Sequence, residues 1–578
     1  MRSFRELVGL EDFVAVWFLL VQANSWARRW RKSMAATRGA AAPSPPPPKH
    51  HQHDAAAAPP TFADSIENCC LDGRDAASVV SDLHGTLLRS ANSFPYFFLV
   101  AFEAGGGFPR ALLLLVMYPL ILAAGALVST SLATRLSIFI AVCGARESAV
   151  ATVAHAVLPK FFLEDMHPDA YRVFMACPRR IVVTATPRML AEPFLREFLG
   201  VERVVGPELE VTRGGICTGF VRGGDGSSEE QAFRDCFADQ RPGIGLCSSD
   251  RAPESRFLPL CKEAYLVPSS KAVDPVPRSL YPKPLVFHDG RFAIRPTPLA
   301  ALAIFLWLPF GFLLAIPRML VAVLSPSVPL AGFLEALLGL QIRMRGSPPA
   351  AARIHGHGVL FVATHRMLVD PLFLSVCASR RVTAVTYSIS RVSELLAPIK
   401  TMRLTRSRSQ DARAIRALLA QGDLVMCPEG TTCREPYLLR FSSLFAELTD
   451  IIVPVAVAVR FQFFHGSTAR GWKALDPLFF LLNPFPAYTI EFLDRVPDEW
   501  TVSSGKRTSI EVANFVQEKL ARALGYECTN FTRRDKYRML AGNDGIVKGE
   551  RSTHEKIHAK VAGGRFLGLF QCRQGGKI

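Results

Sequence analysis

The stretch Val362-Ala363-Thr364-His365-Arg366-Met367-Leu368-Val369-Asp370-Pro371 sets a histidine and an aspartate five positions apart. Imidazole titrates near neutrality, so a histidine is the side chain best suited to take a proton at pH 7. A carboxylate held against the ring fixes its tautomer and stabilises the imidazolium that forms. On one continuous helix, residues five apart point in different directions, so the two groups meet only if the chain turns between them. The flanks predict such a turn. Residues 358–363 (Gly-Val-Leu-Phe-Val-Ala) are short, apolar and partly β-branched, the pattern of a buried strand. Asp370-Pro371 reads as a helix start, because Asp is a favoured N-cap and Pro is favoured at the first helical position. Strand, tight loop and capped helix would put His365 at the strand end and Asp370 at the helix start. Taken alone, so short and common a pattern favours the plainer reading, an aspartate that only caps and a histidine that only occupies a loop.

The elements around it narrow the choice. Arg403-Leu404-Thr405-Arg406 precedes a predicted helix over 411–421. A strand over 424–427 runs into Pro428-Glu429-Gly430-Thr431-Thr432-Cys433-Arg434-Glu435-Pro436. A second helix is predicted over 441–448 and another buried strand over 451–459. Strands alternating with helices imply a mixed α/β sheet. Cys427 and Cys433 flank the Pro-Glu-Gly loop, but no base stands near them in the sequence, so they read as buried or inert thiols. The 13 cysteines are scattered, odd in number and without a Cys-x-x-Cys pair, which points to a reducing compartment.

With 578 residues, the chain has room for two to four domains and a large core. It is 49% hydrophobic with a net charge of +17. That balance suits an anionic membrane face and anionic substrates; no nucleic-acid-binding motif accompanies it, so nucleic acid is not an expected partner. Residues 13–21 are apolar but too few to span a bilayer. With Glu11-Asp12 before them and Arg28-Arg29-Trp30-Arg31-Lys32 after, they read as an interfacial amphipathic segment. The Ala- and Pro-rich stretch 35–60 reads as a linker. Two uncharged runs, 111–134 and 296–317, are long enough to cross a membrane. Pro119 and Pro309 inside them would allow bent spans or re-entrant hairpins.

The segment Ala77-Ser78-Val79-Val80-Ser81-Asp82-Leu83-His84-Gly85-Thr86 resembles the D-x-D-G-T motif of the haloacid-dehalogenase-like phosphatases. In that family the first Asp attacks the phosphoryl group, the second protonates the leaving oxygen, and a later acidic pair completes a Mg²⁺ site. By this resemblance Asp82 occupies the nucleophile position and His84 replaces the second Asp. Thr184, after Ile181-Val182-Val183, matches the phosphate-binding hydroxyl. The late acidic motif falls on residues 243–250, where only Asp250 is acidic. Removing carboxylates from such a site removes the charge that holds the ion, so this half is expected to keep the phosphatase fold without its activity. Asp82 and Thr184 would then end adjacent strands of one sheet, which requires the region 111–144 to dip in and return on the same side.

The order His365-x-x-x-x-Asp370, arginine block, Pro428-Glu429-Gly430-Thr431 and Val453-Pro454-Val455 resembles the glycerolipid acyltransferase family. PEGTTCREP, the run from Pro284 to Arg291 and Glu527-Cys528-Thr529-Asn530-Phe531-Thr532 narrow this to the land-plant glycerol-3-phosphate acyltransferases, over about residues 70–545. The implied fold is two α/β domains, one dehalogenase-like and one acyltransferase-like, with membrane-embedded helical segments. Expected boundaries are 1–63 (segment and linker), 64–295 (phosphatase-related, interrupted at 111–144), 296–324 (membrane), 325–535 (acyltransferase) and 536–578 (basic tail). The resemblance makes His365 the general base and Asp370 its partner. Arg406, and next Arg403, would hold the acceptor phosphate. Glu429 would orient an arginine or a glycerol hydroxyl, Gly430 would allow close backbone approach, Arg434 would meet phosphate or coenzyme A, and Pro454 would line the acyl side. Acyl-CoA enters as co-substrate, with no cofactor and no metal. Many relatives carry Asn where this chain has Thr364.

The implied activity is sn-2 acylation of glycerol 3-phosphate to lysophosphatidic acid, for surface polymers such as cutin or suberin. The expected location is the endoplasmic reticulum membrane, with mitochondria as the alternative. Rival readings are a bifunctional acyltransferase–phosphatase yielding monoacylglycerol, a lysophospholipid acyltransferase, and a non-catalytic membrane scaffold.

Overall fold

The computed structural model describes residues 64–545 except 75, 224–240, 269–272, 326, 351–356, 387–393, 395–396, 406 and 472. The expected N-terminal segment and linker, Arg406 and the chain beyond 545 lie outside the described residues. The chain divides into two compact units. The first holds the described residues through Ala315, with Gln462–His465 and Leu482–Pro484; the second holds Ile316–Phe461, Gly466–Leu481 and the described residues from Phe485 on.

In the first unit, β1 (Asp64–Ser65), β2 (Ser78–Asp82), β3 (Arg179–Val183), β4 (Arg203–Val205), β7 (Ile244–Ser248) and β8 (Glu263–Val267) form one sheet in the order β1-β8-β7-β2-β3-β4. Every pairing in it is parallel. Strands β5 (Glu208–Val211) and β6 (Cys217–Arg222) make a separate antiparallel pair. Val80, Ile181, Val205, Cys247 and Ala264 build the core beside the parallel sheet, the continuous apolar pattern expected of strands covered on both faces. Asp82 stands in register with Val183, so Asp82 and Thr184 end adjacent strands as the sequence implied.

Between β2 and β3 the chain forms α1 (Phe94–Ala101), α2 (Gly107–Leu127) and α3 (Thr130–Val142). All of α1 is buried. The backbone breaks at Gly105, with φ +96°, so the apolar run 94–127 is not one straight rod. Arg110, at the start of α2, donates to Ala141 O and Cys143 O at the end of α3. The two helices are therefore antiparallel, joined by a turn at Val128-Ser129, so this apolar excursion folds back on itself before the chain goes on to β3. Leu112, Leu113, Val116 and Leu120 are exposed along α2. Pro309 and Pro317 lie inside α4 (Pro298–Leu324), which is one unbroken helix and not a hairpin. The stretches 94–127 and 298–324 are long and apolar enough to cross a membrane, with a mean hydropathy of 2.0 and 2.5 and a third of each window buried. Exposed apolar side chains on this scale point to membrane association.

In the second unit α5 (Val328–Leu337) is followed by β9 (Gln341–Arg345), β10 (Leu360–Ala363), β11 (Thr383–Thr386), β12 (Thr401–Arg403), β13 (Leu424–Met426), β15 (Ile452–Arg460) and β16 (Ala487–Phe492). These strands form a seven-stranded sheet in the order β12-β11-β13-β10-β15-β16-β9, parallel except for the β15–β16 pair. Strands β14 (Tyr437–Leu438) and β17 (Glu527–Cys528) pair separately. Helix α6 (Asp370–Ala378) follows β10, and α7 (Arg408–Leu419) precedes β13. Helix α8 (Ser509–Leu524) buries Val512, Val516 and Leu520 against Phe445, Ile452 and Met426.

Three local expectations are corrected. The helix expected over 411–421 begins three residues earlier, because Ser407 takes the cap position while the Asp411 carboxylate reaches back to Thr405 N and Oγ1. The helix expected over 441–448 is a 3₁₀ turn, Ser443–Glu447. Its entrance is fixed by Arg440 N donating to Phe531 O and Ser442 N to Pro428 O, which leaves little chain for a regular helix. The boundary expected at 535 falls inside α9 (Arg533–Ala541), whose buried Lys536 donates to Thr432 O and Oγ1.

Candidate active site

His365 stands two residues beyond β10, and Cys427 directly follows β13. These strands are parallel neighbours, with Val362 in register with Met426, so their carboxyl ends open side by side. Crevices at the carboxyl ends of parallel strands are where open α/β sheets place ligands. Thr364 is fixed by β15: its hydroxyl donates to Val457 O and accepts from Val457 N. The residue that replaces asparagine before the histidine is thus used to lock the strand end.

The turn predicted between His365 and Asp370 is present, and His365 Nδ1 lies 3.0 Å from Asp370 Oδ2. The same oxygen accepts from Arg366 N at 2.6 Å and Met367 N at 2.8 Å. Asp370 therefore closes the loop behind it and does not cap the helix ahead; Val369 holds the cap position with no side-chain bond. This corrects the capping role expected of Asp370: its carboxylate already serves three donors on the loop side. The other oxygen, Oδ1, accepts from Tyr488 Oη at 3.0 Å. Tyr488 is fully buried on β16 and stacks on Phe373 with ring centroids 4.0 Å apart. Asp370 is 1% exposed, so its charge faces only hydrogen-bond donors.

Burial works against a charged His365 ring; a Cys427 thiolate and the hydrogen bond to Asp370 outweigh it, and together they push its pKa up to about 10. Burial also pushes the Cys427 thiol's pKa up. At neutral pH that thiol keeps its proton, so Asp370 supplies the part of the upward push that persists. The His365 side chain is 20% exposed.

Glu429 is buried, and its two oxygens accept from His365 N at 2.8 Å and Leu439 N at 3.0 Å. Burial pushes its pKa up, and the Arg366 guanidinium and these backbone donors oppose the push. It positions the backbone under the histidine. Gly430 adopts φ +67°, a conformation that glycine reaches without a Cβ penalty, and its N–H closes a turn on Cys427 O. Arg366 is buried too, donating to Cys433 O, Glu435 O and Tyr437 O while its guanidinium lies over the Tyr526 ring. Sequence reading passed over Arg366, Tyr488 and Lys536, since their partners stand far along the chain.

The other expected residues are spread more widely. Arg403 ends β12 and pairs with Glu394. Arg434 donates to Ser467 O. Pro454 is buried in the sheet, in register with Val362.

In the first unit, Asp82 is buried, with Cys247 Sγ donating to its Oδ2 at 3.4 Å and Arg251 Nη1 3.9 Å away. Burial pushes the Asp82 pKa up, with Arg251 opposing. His84 Nε2 meets Thr186 Oγ1 at 2.8 Å, and burial followed by the Arg251 charge pushes its pKa down to about 3. It is neutral at physiological pH. Thr184 Oγ1 accepts from Thr186 N inside its own turn, and Asp250 is exposed. A thiol, a neutral imidazole and one carboxylate do not make the hard oxygen shell that Mg²⁺ requires. Among the described residues no group of three or more His, Cys, Asp or Glu is placed to hold a metal ion.

The comparisons with known proteins agree with both halves. Residues 78–267 match the family described as "Glycerol-3-phosphate acyltransferase RAM2-like, HAD-like domain", and residues 341–458 match "Acyltransferase". The chain is 48% identical over 474 residues to glycerol-3-phosphate acyltransferase RAM2 of Petunia hybrida, covering 80% of this chain and 97% of that one. It belongs to the plant glycerol-3-phosphate acyltransferase family. Glycerol-3-phosphate acyltransferase 1 of Arabidopsis thaliana is 46% identical over 510 residues, covering 83% of this chain and 85% of its own. The crystal structure of the 1-acyl-sn-glycerophosphate acyltransferase PlsC from Thermotoga maritima aligns with 39% of this chain and 97% of its own, at 13% identity and a TM-score of 0.25.

Proposed function

We propose that this protein transfers an acyl group from acyl-CoA to a hydroxyl of glycerol 3-phosphate, giving lysophosphatidic acid. The observation that carries the reading is the His365–Asp370 pair, 3.0 Å apart at the open end of β10. Asp370 holds the Nδ1 proton, which leaves the Nε2 lone pair facing the crevice. That nitrogen takes the hydroxyl proton as the oxygen attacks the thioester carbonyl, then returns a proton to the departing thiolate. Glu429 and Arg366 hold the loop that frames the crevice, and the arginines of the 403–406 block and Arg434 supply charge for the acceptor phosphate. No metal takes part in these steps.

The first unit acts as a structural partner without turnover: Cys247 and Arg251 stand about Asp82, and neutral His84 stands where the second aspartate would be. The product then keeps its phosphate. The exposed apolar faces of α2 and α4 seat the enzyme at a membrane, which we place at the endoplasmic reticulum, where cytosolic acyl-CoA and reduced cysteines are both at hand. Acylation at sn-2 and a role in cutin or suberin supply follow from the family and belong to the same proposal.

The test is acyl transfer from labelled acyl-CoA to glycerol 3-phosphate by the detergent-solubilised protein, wild type beside His365→Ala, with products separated by head group. Lysophosphatidic acid from the wild type alone supports the reading. Monoacylglycerol refutes the silent phosphatase, and product only with a lysophospholipid acceptor moves the substrate.

A further inference from the structure

The loop after Pro-Glu-Gly, the segment around Ser467 to Lys473 and helix α9 are tied to one another in a closed circuit. Lys536 on α9 donates to Thr432 O at 2.6 Å and to Thr432 Oγ1 at 3.0 Å. Arg434, on the same loop as Thr432, donates to Ser467 O. Lys473, further along that segment, returns to α9 by donating to Tyr537 Oη. Each of the three segments therefore brings a cation to the circuit. Helix α9 brings another in its first turn, Arg533, whose guanidinium lies 5.3 Å from the Tyr537 ring centroid, while Lys473 Nζ lies 4.5 Å from it. Tyr537 is buried, and its hydroxyl responds to the field these groups make. Burial pushes its pKa up; the Lys473 and Lys536 charges, the Lys473 hydrogen bond and the Arg533 charge outweigh burial and leave it below the ordinary phenol value. Among the described residues, Lys473 and Arg533 have no carboxylate partner: Lys473 meets Tyr537, and Arg533 donates to Gly545 O. Asp535, the acid beside them on α9, is engaged in the helix cap by Thr532 N and Oγ1. Like charges gathered on one ring repel, and an anion among them removes the repulsion.

We propose that Lys473 and Arg533, with Lys536 adding its charge, form a subsite for the phosphate groups of coenzyme A. The inference rests on the acyl-CoA donor of the proposed function. The position favours the donor over the acceptor. In glycerol 3-phosphate the phosphate and the hydroxyls are a few bonds apart, so that phosphate must be met beside the histidine. In acyl-CoA the phosphates sit at the far end of a long pantetheine arm, so they must be met away from the thioester. The circuit stands one loop removed from the candidate base: Cys433, between Thr432 and Arg434, donates its N–H to His365 O. Cations carried on separate elements also suit several phosphates better than one. A lysine meets a phosphate as a point charge and an arginine meets it through two parallel N–H groups. Neither residue touches the reacting carbonyl; both hold a remote part of the donor, which steadies the thioester in the crevice.

The full-length enzyme in detergent tests this with three donors carrying one acyl chain: acyl-CoA, acyl-3′-dephospho-CoA and the acyl thioester of pantetheine, which has no phosphate. Glycerol 3-phosphate is the acceptor throughout. Lys473→Gln and Arg533→Gln should each raise the KM for acyl-CoA about tenfold, with the KM for glycerol 3-phosphate unchanged. Lys473→Arg should restore most of the loss. With the pantetheine donor the variants and the wild type should be alike. The dephospho donor then tells the phosphates apart: an effect that disappears with it belongs to the 3′-phosphate, and one that remains belongs to the diphosphate. An unchanged KM for acyl-CoA in both Gln variants overturns the proposal and leaves the acyltransferase reading standing. An equal loss with the pantetheine donor also overturns it, because that is what a merely structural role gives. A rise in the KM for glycerol 3-phosphate alone places the acceptor's phosphate there and overturns the donor assignment. If the wild type transfers nothing from acyl-CoA, the proposed function fails, and calorimetric titration with coenzyme A still decides the subsite: binding weakened in Lys473→Gln supports it, and equal or absent binding overturns it.

Discussion

Replacing Asp370 by Asn separates charge from geometry at the candidate base. Oδ2 accepts three hydrogen bonds, from His365 Nδ1, Arg366 N and Met367 N, while Oδ1 accepts one from Tyr488 Oη. The amide NH₂ cannot face three donors, so the asparagine turns its oxygen to them. Its NH₂ then faces Tyr488, whose hydroxyl rotates to accept. The tautomer of His365 survives and only the charge is lost. A hydrogen bond to a charged group contributes about 1.5–3 kcal/mol and a neutral one about 0.5–1.5, so the imidazolium loses roughly 1–1.5 kcal/mol. That is about one pH unit in the histidine pKa and roughly a tenfold loss for each such increment felt in the transition state. We expect Asp370→Asn to fold, to lose about ten- to a hundredfold in kcat/KM, and to move the acidic limb of the pH–rate profile down by about one unit. The sign follows from the chemistry: the base must be neutral, and Asp370 favours the charged ring, so activity rises with pH through the His365 pKa. Asp370→Ala should instead lose about 3–5 kcal/mol of stability, because buried donors lose their acceptor. Kinetic pH profiles and urea unfolding of both variants check this. An unmoved or raised limb in Asp370→Asn, or equal destabilisation by the two variants, refutes the assignment.

Other perturbations probe the supports. Glu429→Gln must turn an NH₂ toward one of two backbone donors, and should cost about 1–3 kcal/mol together with most of the acyl transfer, read by unfolding and by the same assay. Gly430→Ala forces a Cβ into φ +67°; it should destabilise by about 1–2 kcal/mol and lower kcat more than it raises KM, since the turn carries Cys427 and Glu429. Ending the chain at residue 532 deletes α9 and the Lys536–Thr432 bonds, so activity should vanish even though the motifs remain. For the membrane face, Leu113→Glu with Leu120→Glu should shift the protein from floating with vesicles to the soluble fraction; unchanged flotation would remove α2 from that face.

What the sequence made legible was local or periodic. The strand before His365, the helix after Asp370 and the apolar runs announced themselves by pattern. The pairing of Asp82 with the strand before Thr184 followed from a motif whose topology is fixed. Partners joined only by the fold stayed hidden. Tyr488 reaches Asp370 across 118 positions and Lys536 reaches Thr432 across 104, and no periodicity links such pairs. The placing of Cys427 and His365, 62 positions apart, at one sheet edge is likewise set only by the parallel pairing of β10 with β13. The capping role read into Asp370 failed for a related reason: a carboxylate at a helix start has donors on both sides, and here the loop behind supplied the closer ones.

The two sheets make an internal comparison that bears on which half turns over. Each has its candidate reactive residue at the carboxyl end of a central strand, Asp82 as the last residue of β2 and His365 two residues beyond β10, with neighbouring strands opening beside it. Around His365 most polar groups are held by one another: Asp370 takes four donors, Glu429 two, and Arg366 gives hydrogen bonds to three carbonyls while its Nε stays without a partner among the described residues. A buried network of that kind fixes the geometry of the groups it joins, and His365 keeps a side chain 20% exposed. Around Asp82, by contrast, burial raises the carboxyl pKa, the partner position holds a thiol, and the second acid has become a histidine kept neutral by burial. A nucleophilic carboxylate must be ionised, and here its charge is opposed by burial, with Arg251 at 3.9 Å to favour it. If phosphate release from lysophosphatidic acid were nonetheless measured, it should be unchanged by Mg²⁺ and lost in Asp82→Asn; Mg²⁺-dependent release would mean that the oxygen ligands come from residues other than Asp82, Thr184 and Asp250.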